Sequence, residues 1–262
     1  MEAAFFDLDK TVIAKASMVA FGRPLYRAGL LSRWILLRAL WGQLVYLQLG
    51  ADEERMQRMR RSVLRLTKGW DQARVSEIVG EAMDEVIEPI VYEEAIELIR
   101  GHREAGRRVV IVSASPIEIV APLAGYLGVD DFIATRAELD DEGRYTGEVE
   151  FYSYGPFKVD AMQELASLHE IDLSSSYAYS DSATDLPMLE AVGHPVVVNP
   201  DRDLLRTAEA RDWEVMRFGR EVSLRSRVPM PSPTQAAVGG GVVAVIAGLV
   251  VWWWLRRPAD RR

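Results

Sequence analysis

Two carboxylates stand two residues apart near the start of the chain, Asp7 and Asp9 in Phe5-Phe6-Asp7-Leu8-Asp9-Lys10-Thr11, with a hydroxyl at Thr11. Anions this close raise each other's pKa unless a cation lies between them, so the pair predicts a divalent metal. Asp181 and Asp185 close another apolar run, in Asp-Ser-Ala-Thr-Asp. Ser113 ends a third, in Val-Ser-Ala-Ser-Pro, and Lys158 follows a strand and a loop. A metal, a nucleophile, an acid, a lysine and a hydroxyl are the set that phosphoryl transfer needs. Singly, each has a plainer explanation: a solvated turn for the first pair, a helix cap for Ser113 and Asp181, a surface position for Lys158. Their joint occurrence at the ends of apolar runs favours chemistry. His102 and His169 fall on helical stretches and His194 precedes a strand, with no suitable Ser or Asp patterned beside them, so all three read as structural.

The elements that must hold these groups alternate. Ala3 to Phe6 reads as a short buried strand. Residues 14 to about 85 read as mostly helical. Glu88 to Ala105 reads as a helix with Pro89 in its first turn, and Arg108 to Ser113 as a buried strand. Pro116 opens a helix to about Leu127, and Asp140-Asp141-Glu142-Gly143 marks a hairpin between two strands. A helix over Lys158 to Glu170 and a strand over Ser176 to Ser180 follow. Strands alternating with helices predict a parallel sheet covered on both faces, with the stretch 14–85 inserted in the first crossover. In such a sheet the carboxyl ends of the strands share one edge, which is where ligands bind. The predicted organisation is a core of 1–13 and 86–218, a helical cap of 14–85, a linker of 219–235 and a last segment of 236–255.

The chain has 262 residues, 31 basic and 39 acidic, for a net charge of −8. The tail from Gly219 onward is locally basic, with seven Arg against Glu221 and Asp260, so the body is more acidic than the total. An acidic body is a poor nucleic-acid binder and attracts cations. With no Cys, disulfides, thiolate metal sites and cysteine nucleophiles are excluded. The N-terminus has neither the basic nor the apolar region of a secretory signal.

Ala236 to Leu255 is uncharged, with three Trp at its end and Arg256-Arg257 next. About 20 residues suffice to cross a bilayer, so this stretch predicts a C-terminal transmembrane helix. The expected partners are a membrane and a small phosphorylated substrate, with the catalytic body in the cytoplasm. Leu30 to Leu49 is apolar but broken by Arg33, Arg38 and Gln43, so it is expected to pack within the cap. Asp52 to Leu66 carries Arg55, Arg58, Arg60 and Arg61, which read as a solvated face.

On these motifs the chain resembles the haloacid dehalogenase superfamily, in its phosphoserine-phosphatase-like branch (subfamily IB). Asp-Leu-Asp-Lys-Thr at 7–11, Ser113, Lys158 and Asp-Ser-Ala-Thr-Asp at 181–185 occur in the family's order. The resemblance implies an α/β Rossmann-like core, a helical cap and Mg²⁺. It implies Asp7 as nucleophile, Asp9 as acid and base, and phosphate contacts from Ser113, Lys158 and main-chain N–H groups near Leu8 and Ala114, with Thr11 fixing the loop. The metal would be held by Asp7, the Asp9 carbonyl and Asp181, with Asp185 in support. Asp9-Lys10-Thr11 is also similar to the phosphorylated motif of cation pumps. That motif's Gly and second Thr are Val12 and Ile13 here, so Asp7 remains the nucleophile.

Two departures concern substrate. Phosphoserine phosphatases carry a Glu after the first motif to bind the amine, whereas Ala14-Lys15-Ala16-Ser17 has no acid. The glycine pair after the second-motif serine is replaced by Ala114 and Ser115. Alternatives to a phosphatase are a phosphotransferase and a non-catalytic membrane-tethered scaffold.

Overall fold

The computed structural model describes residues 1–32 and 64–219. Contacts divide the chain into Met1–Val222 and Ser223–Arg262, and every described residue falls in the first unit. The run Ala3–Phe6 forms β1, with all four residues buried, as a strand covered on both faces requires. The other strands are β2 (Arg108–Pro116), β3 (Asp131–Leu139), β4 (Tyr145–Phe151), β5 (Tyr177–Ser180), β6 (His194–Val198) and β7 (Glu214–Met216). They make one sheet of order β4-β3-β2-β1-β5-β6-β7. All pairings are parallel except the β3–β4 hairpin. The chain leaves β1 to one side for β2 and returns on its other side at β5, so the strand order reverses at β1. A crevice at the carboxyl ends of β1, β2 and β5 follows from that reversal.

The helices are α1 (Ser17–Ala20), α2 (Gly22–Arg27), α3 (Gln72–Ile87), α4 (Glu93–Glu104), α5 (Ile117–Leu127), α6 (Pro156–His169), α7 (Leu186–Glu190) and α8 (Arg202–Ala210). Alternate residues of the strands enter two separate cores, as the period of two dictates. Ala4, Phe6, Val109, Ile111 and Tyr179 pack with Val79 and Met83 of α3, Ile99 of α4 and Leu123 of α5. Ala3, Phe5, Val110, Val112 and Ala178 pack with Met162 of α6, Leu189 of α7 and Leu204 of α8. The Asp71 side chain accepts a hydrogen bond from the Arg74 N–H at 2.9 Å and starts α3.

The expected helix from Glu88 is interrupted. Glu88–Ile90 forms a 3₁₀ turn and α4 begins only at Glu93. Val91 and Tyr92 are extended because their neighbourhood is tied to the first loop: Ala14 N–H donates to the Ile90 carbonyl at 2.7 Å and Tyr92 N–H to that of Val12 at 3.0 Å. These bonds join the return of the crossover to its start.

The expected C-terminal transmembrane helix requires correction. No helix among the described residues is long and apolar enough to cross a membrane. Of those described, α3 is the longest at 16 residues, about 24 Å, against a hydrocarbon thickness of about 30 Å, and it carries charges along its length. Residues 236–255 lie outside the described residues, as do the linker, the arginines at 55–61 and most of the run from 30 to 49. The fold is therefore an α/β sheet with helices inserted after β1. The membrane partner and the membrane-anchored localisation drawn from 236–255 are not carried by the structure.

Two packing features are testable. A Cβ added at Gly193 would lie 1.7 Å from the Ser174 carbonyl oxygen, a main-chain atom that cannot swing away. Gly193→Ala is expected to cost about 3 kcal/mol, read as a fall in the urea unfolding midpoint. His102 is buried, with Nε2 2.7 Å from the Tyr179 hydroxyl. Burial, and to a lesser degree Arg107, lowers its pKa from 6.5 to about 4. Above pH 6.5 both folded and unfolded states are neutral there. As pH falls from 6.5 towards 4, the unfolded chain takes up a proton that the folded chain refuses. Stability should decline across that window by up to about 3 kcal/mol, and less steeply in His102→Gln when urea midpoints are compared.

Candidate active site

The loop after β1 is fixed by its own main chain. Asp7 N–H donates to the Tyr179 carbonyl at 2.9 Å, extending the ladder one residue beyond the strand. Val12 and Ile13 N–H groups then both donate to the Leu8 carbonyl, at 2.9 and 3.1 Å. Lys10 takes a left-handed conformation, φ 67°, which costs a side-chain-bearing residue about 1 kcal/mol and persists because the surrounding bonds over-determine it. Thr11 lies inside this loop, fully buried, and its Oγ1 has no hydrogen-bond partner among the described residues.

The adjacent strands bring the remaining groups level with this loop. Phe6 pairs with Ile111 on one side and Tyr179 on the other, so Ser113 and Asp181 stand two residues beyond their partners of Phe6. Lys158 lies in the first turn of α6, and its side chain is 2% exposed. Its Nζ donates to Asp7 Oδ1 at 2.7 Å and to Asp185 Oδ2 at 2.9 Å. Ser180 Oγ donates to the same Asp185 oxygen at 2.8 Å. Burial opposes the charge on Lys158, but Asp185 and Asp7 outweigh it and raise its pKa. The lysine is therefore a fixed cation.

Asp9 turns to a different set of partners. The Ser17 N–H donates to its Oδ1 at 2.9 Å and the Ser115 hydroxyl to its Oδ2 at 3.3 Å. Burial raises the Asp9 pKa, and these bonds pull it back part of the way. Ser113 is buried, and its Oγ accepts from the Ser115 N–H at 3.1 Å. All seven residues singled out in the sequence thus fall at the carboxyl edge of β1, β2 and β5 or in the turn of α6 beside it. Ser17, Ser115 and Ser180 were not among the expected site residues. The i, i+2 spacing of Ser113 and Ser115 is the one signal that could have found any of them.

Charge decides whether a metal fits. Asp7, Asp181 and Asp185 are buried carboxylates that influence one another, and Lys158 is the buried cation among them. Burial pushes Asp7 up, Lys158 offsets this in part, and Asp185 and Asp181 add to it. Burial also raises Asp181 to about 7, opposed by the exposed Lys10 at 4.0 Å and reinforced by Asp185 and Asp201. Negative charge is in excess, and the donors are all oxygen, which suits a hard divalent cation such as Mg²⁺. Among the described residues no three acidic or imidazole side chains gather as ligands of one ion. Both Asp9 oxygens accept hydrogen bonds and Asp185 Oδ2 accepts two, whereas Lys158 meets Asp7 at Oδ1 and Asp181 has only the exposed Lys10 at 4.0 Å, so Asp7 and Asp181 are the side chains best suited to it.

Residues 4–190 match the family model of haloacid dehalogenase-like hydrolases. This chain belongs to that family. The match runs from within β1 to the end of α7 and so includes each of these groups. Among curated relatives, a Mycobacterium tuberculosis protein named a probable phosphatase is 51% identical over 241 residues, 90% of this chain and 84% of that one. A phosphoserine phosphatase of Mycobacterium tuberculosis is 33% identical over 242 residues, 91% of this chain and 77% of that one. A solved structure from Bordetella pertussis Tohama I, of a protein with unknown function, shares 32% identity. It superposes with a TM-score of 0.70, covering 82% of this hydrolase and 97% of that chain.

Lys158 neutralises carboxylates that are otherwise buried together. Lys158→Met should destabilise this hydrolase by about 3–5 kcal/mol in urea unfolding, because Asp7 and Asp185 lose their cation. Adding Asp185→Asn to that variant should recover part of the loss.

Proposed function

We propose that the protein is a Mg²⁺-dependent phosphatase that hydrolyses a small phosphomonoester through an aspartyl-phosphate on Asp7. The observation that carries this reading is the Lys158 ammonium held 2.7 Å from the Asp7 carboxylate at the point where the strand order reverses. A carboxylate nucleophile splits one difficult hydrolysis into two steps. An Asp7 oxygen attacks phosphorus, the ester P–O bond breaks, and its electron pair stays on the leaving oxygen. Asp9 gives that oxygen a proton. Asp9 then takes a proton from the water that attacks the acyl phosphate, which releases phosphate and regenerates Asp7. The raised pKa of Asp9 suits it to donate and to accept. Lys158, the Ser113 hydroxyl and main-chain N–H groups near Leu8 and Ala114 hold the phosphoryl oxygens, and Thr11 keeps the loop in place. Mg²⁺, held by Asp7, the Asp9 carbonyl and Asp181 with Asp185 behind, would neutralise phosphate charge.

A phosphoserine-like substrate is supported by the phosphoserine phosphatase among the relatives. Against the amino acid itself stands the segment Ala14-Lys15-Ala16-Ser17, which offers an ammonium group no carboxylate. The buried Lys158–Asp7–Asp185 arrangement favours an enzyme over a scaffold, since burying such charges gives little stability in return.

In the presence of Mg²⁺ the protein should release phosphate from 4-nitrophenyl phosphate, and chelation should stop the release. Asp7→Asn should lower kcat by about a thousandfold or more and abolish covalent labelling by ³²P-phosphate esters. Labelling that persists on Asp9 in that variant would overturn the assignment.

A further inference from the structure

We propose that Ser115 and Ser17 are positioning residues that lock the Asp9 carboxyl in its proton-transfer orientation, which rests on the phosphatase reading above. The Ser17 and Ser115 hydroxyl oxygens are 2.7 Å apart although 98 residues separate them in sequence. Both residues are buried, Ser17 completely. Ser17 opens α1, the first helix after the β1 loop, whereas Ser115 belongs to β2. Their bond therefore joins the helical segment to the sheet.

Asp9 is held across this junction from two directions. Its Oδ1 accepts from the Ser17 main-chain N–H at 2.9 Å and its Oδ2 from the Ser115 hydroxyl at 3.3 Å. The two hydroxyl protons serve two bonds: one spans the seryl oxygens and the other ends on Asp9. With an oxygen tethered to each element, the carboxyl cannot turn about its Cβ–Cγ bond. The torsion of an aspartate at that bond is otherwise broad and roughly two-fold. A proton is transferred efficiently only when the acid lies within hydrogen-bond reach of the leaving oxygen, so a carboxyl that turns freely loses catalytic time. The Ser115 N–H also donates to Ser113 Oγ at 3.1 Å. One residue thus sets both the acid and the hydroxyl beside it.

A role in orienting the acid shows in the dependence on leaving group. Phenolate is a poor leaving group that needs the proton, whereas 4-nitrophenolate leaves largely without it. The test compares kcat/KM for phenyl phosphate and 4-nitrophenyl phosphate in the full-length protein with Mg²⁺. In Ser115→Ala the loss on phenyl phosphate should exceed that on 4-nitrophenyl phosphate by about tenfold or more, part of what a general acid supplies. Ser115→Thr, which keeps the hydroxyl, should restore the wild-type ratio. Equal losses on both substrates, or no loss on either, would overturn the proposal while leaving the phosphatase reading intact. Wild-type protein inert towards both would instead overturn that reading and this proposal with it. If Ser115→Ala does not fold, Ser17→Ala keeps the main-chain bond, removes the hydroxyl and must show the same ordering of losses.

Discussion

The Lys158 ammonium, closed off from solvent between Asp7 and Asp185, is the interaction on which the rest of the structure depends. Desolvating three charged groups is expensive, and it is tolerable only where opposite charges and hydrogen bonds meet them closely. The fold supplies those conditions. β1 delivers Asp7, the turn after β5 delivers Asp185, and the first turn of α6 delivers Lys158 between them. Ser180 donates to Asp185 at 2.8 Å and so occupies part of the remaining acceptor capacity. The parallel sheet puts the carboxyl ends of β1, β2 and β5 on one edge.

Negative charge at this edge still exceeds positive charge, and the excess is what suits it to a cation and a phosphate ester together. A site neutral on its own would have little use for a divalent ion. A site with one more buried lysine would compete with it. The raised pKa values of Asp7, Asp9 and Asp181 have burial as their first cause, so the apolar cores that make the sheet stable also set the chemistry of its edge. Stability and reactivity are thus two results of the same packing.

Ser17, in the helical segment between β1 and β2, makes two bonds to groups at this edge. Ala14 and Tyr92 tie the beginning and the end of that segment together through main-chain hydrogen bonds. The Asp9 carboxyl consequently accepts hydrogen bonds from both the helical segment and the sheet.

Much of this was legible in the residues themselves. Alternation of apolar runs with helical periods predicted the buried strands at Ala3, Arg108 and Ser176 and a parallel sheet, because burial on both faces leaves a continuous apolar run. Asp7, Asp9, Thr11, Ser113, Lys158, Asp181 and Asp185 stood out because each ends such a run or follows it in the order of a known family. The uncharged stretch 236–255 looked equally plain, yet no described helix could cross a membrane, and local hydropathy alone did not establish a span. Other features depended on contacts between residues far apart in sequence. That Asp185 faces Lys158, that Ser17 meets Ser115, and that Glu88–Ile90 breaks away from the helix that follows are tertiary outcomes. Local sequence sets which backbone shape a segment prefers, whereas the direction of a side chain and the partner it finds are settled only when distant elements pack against it.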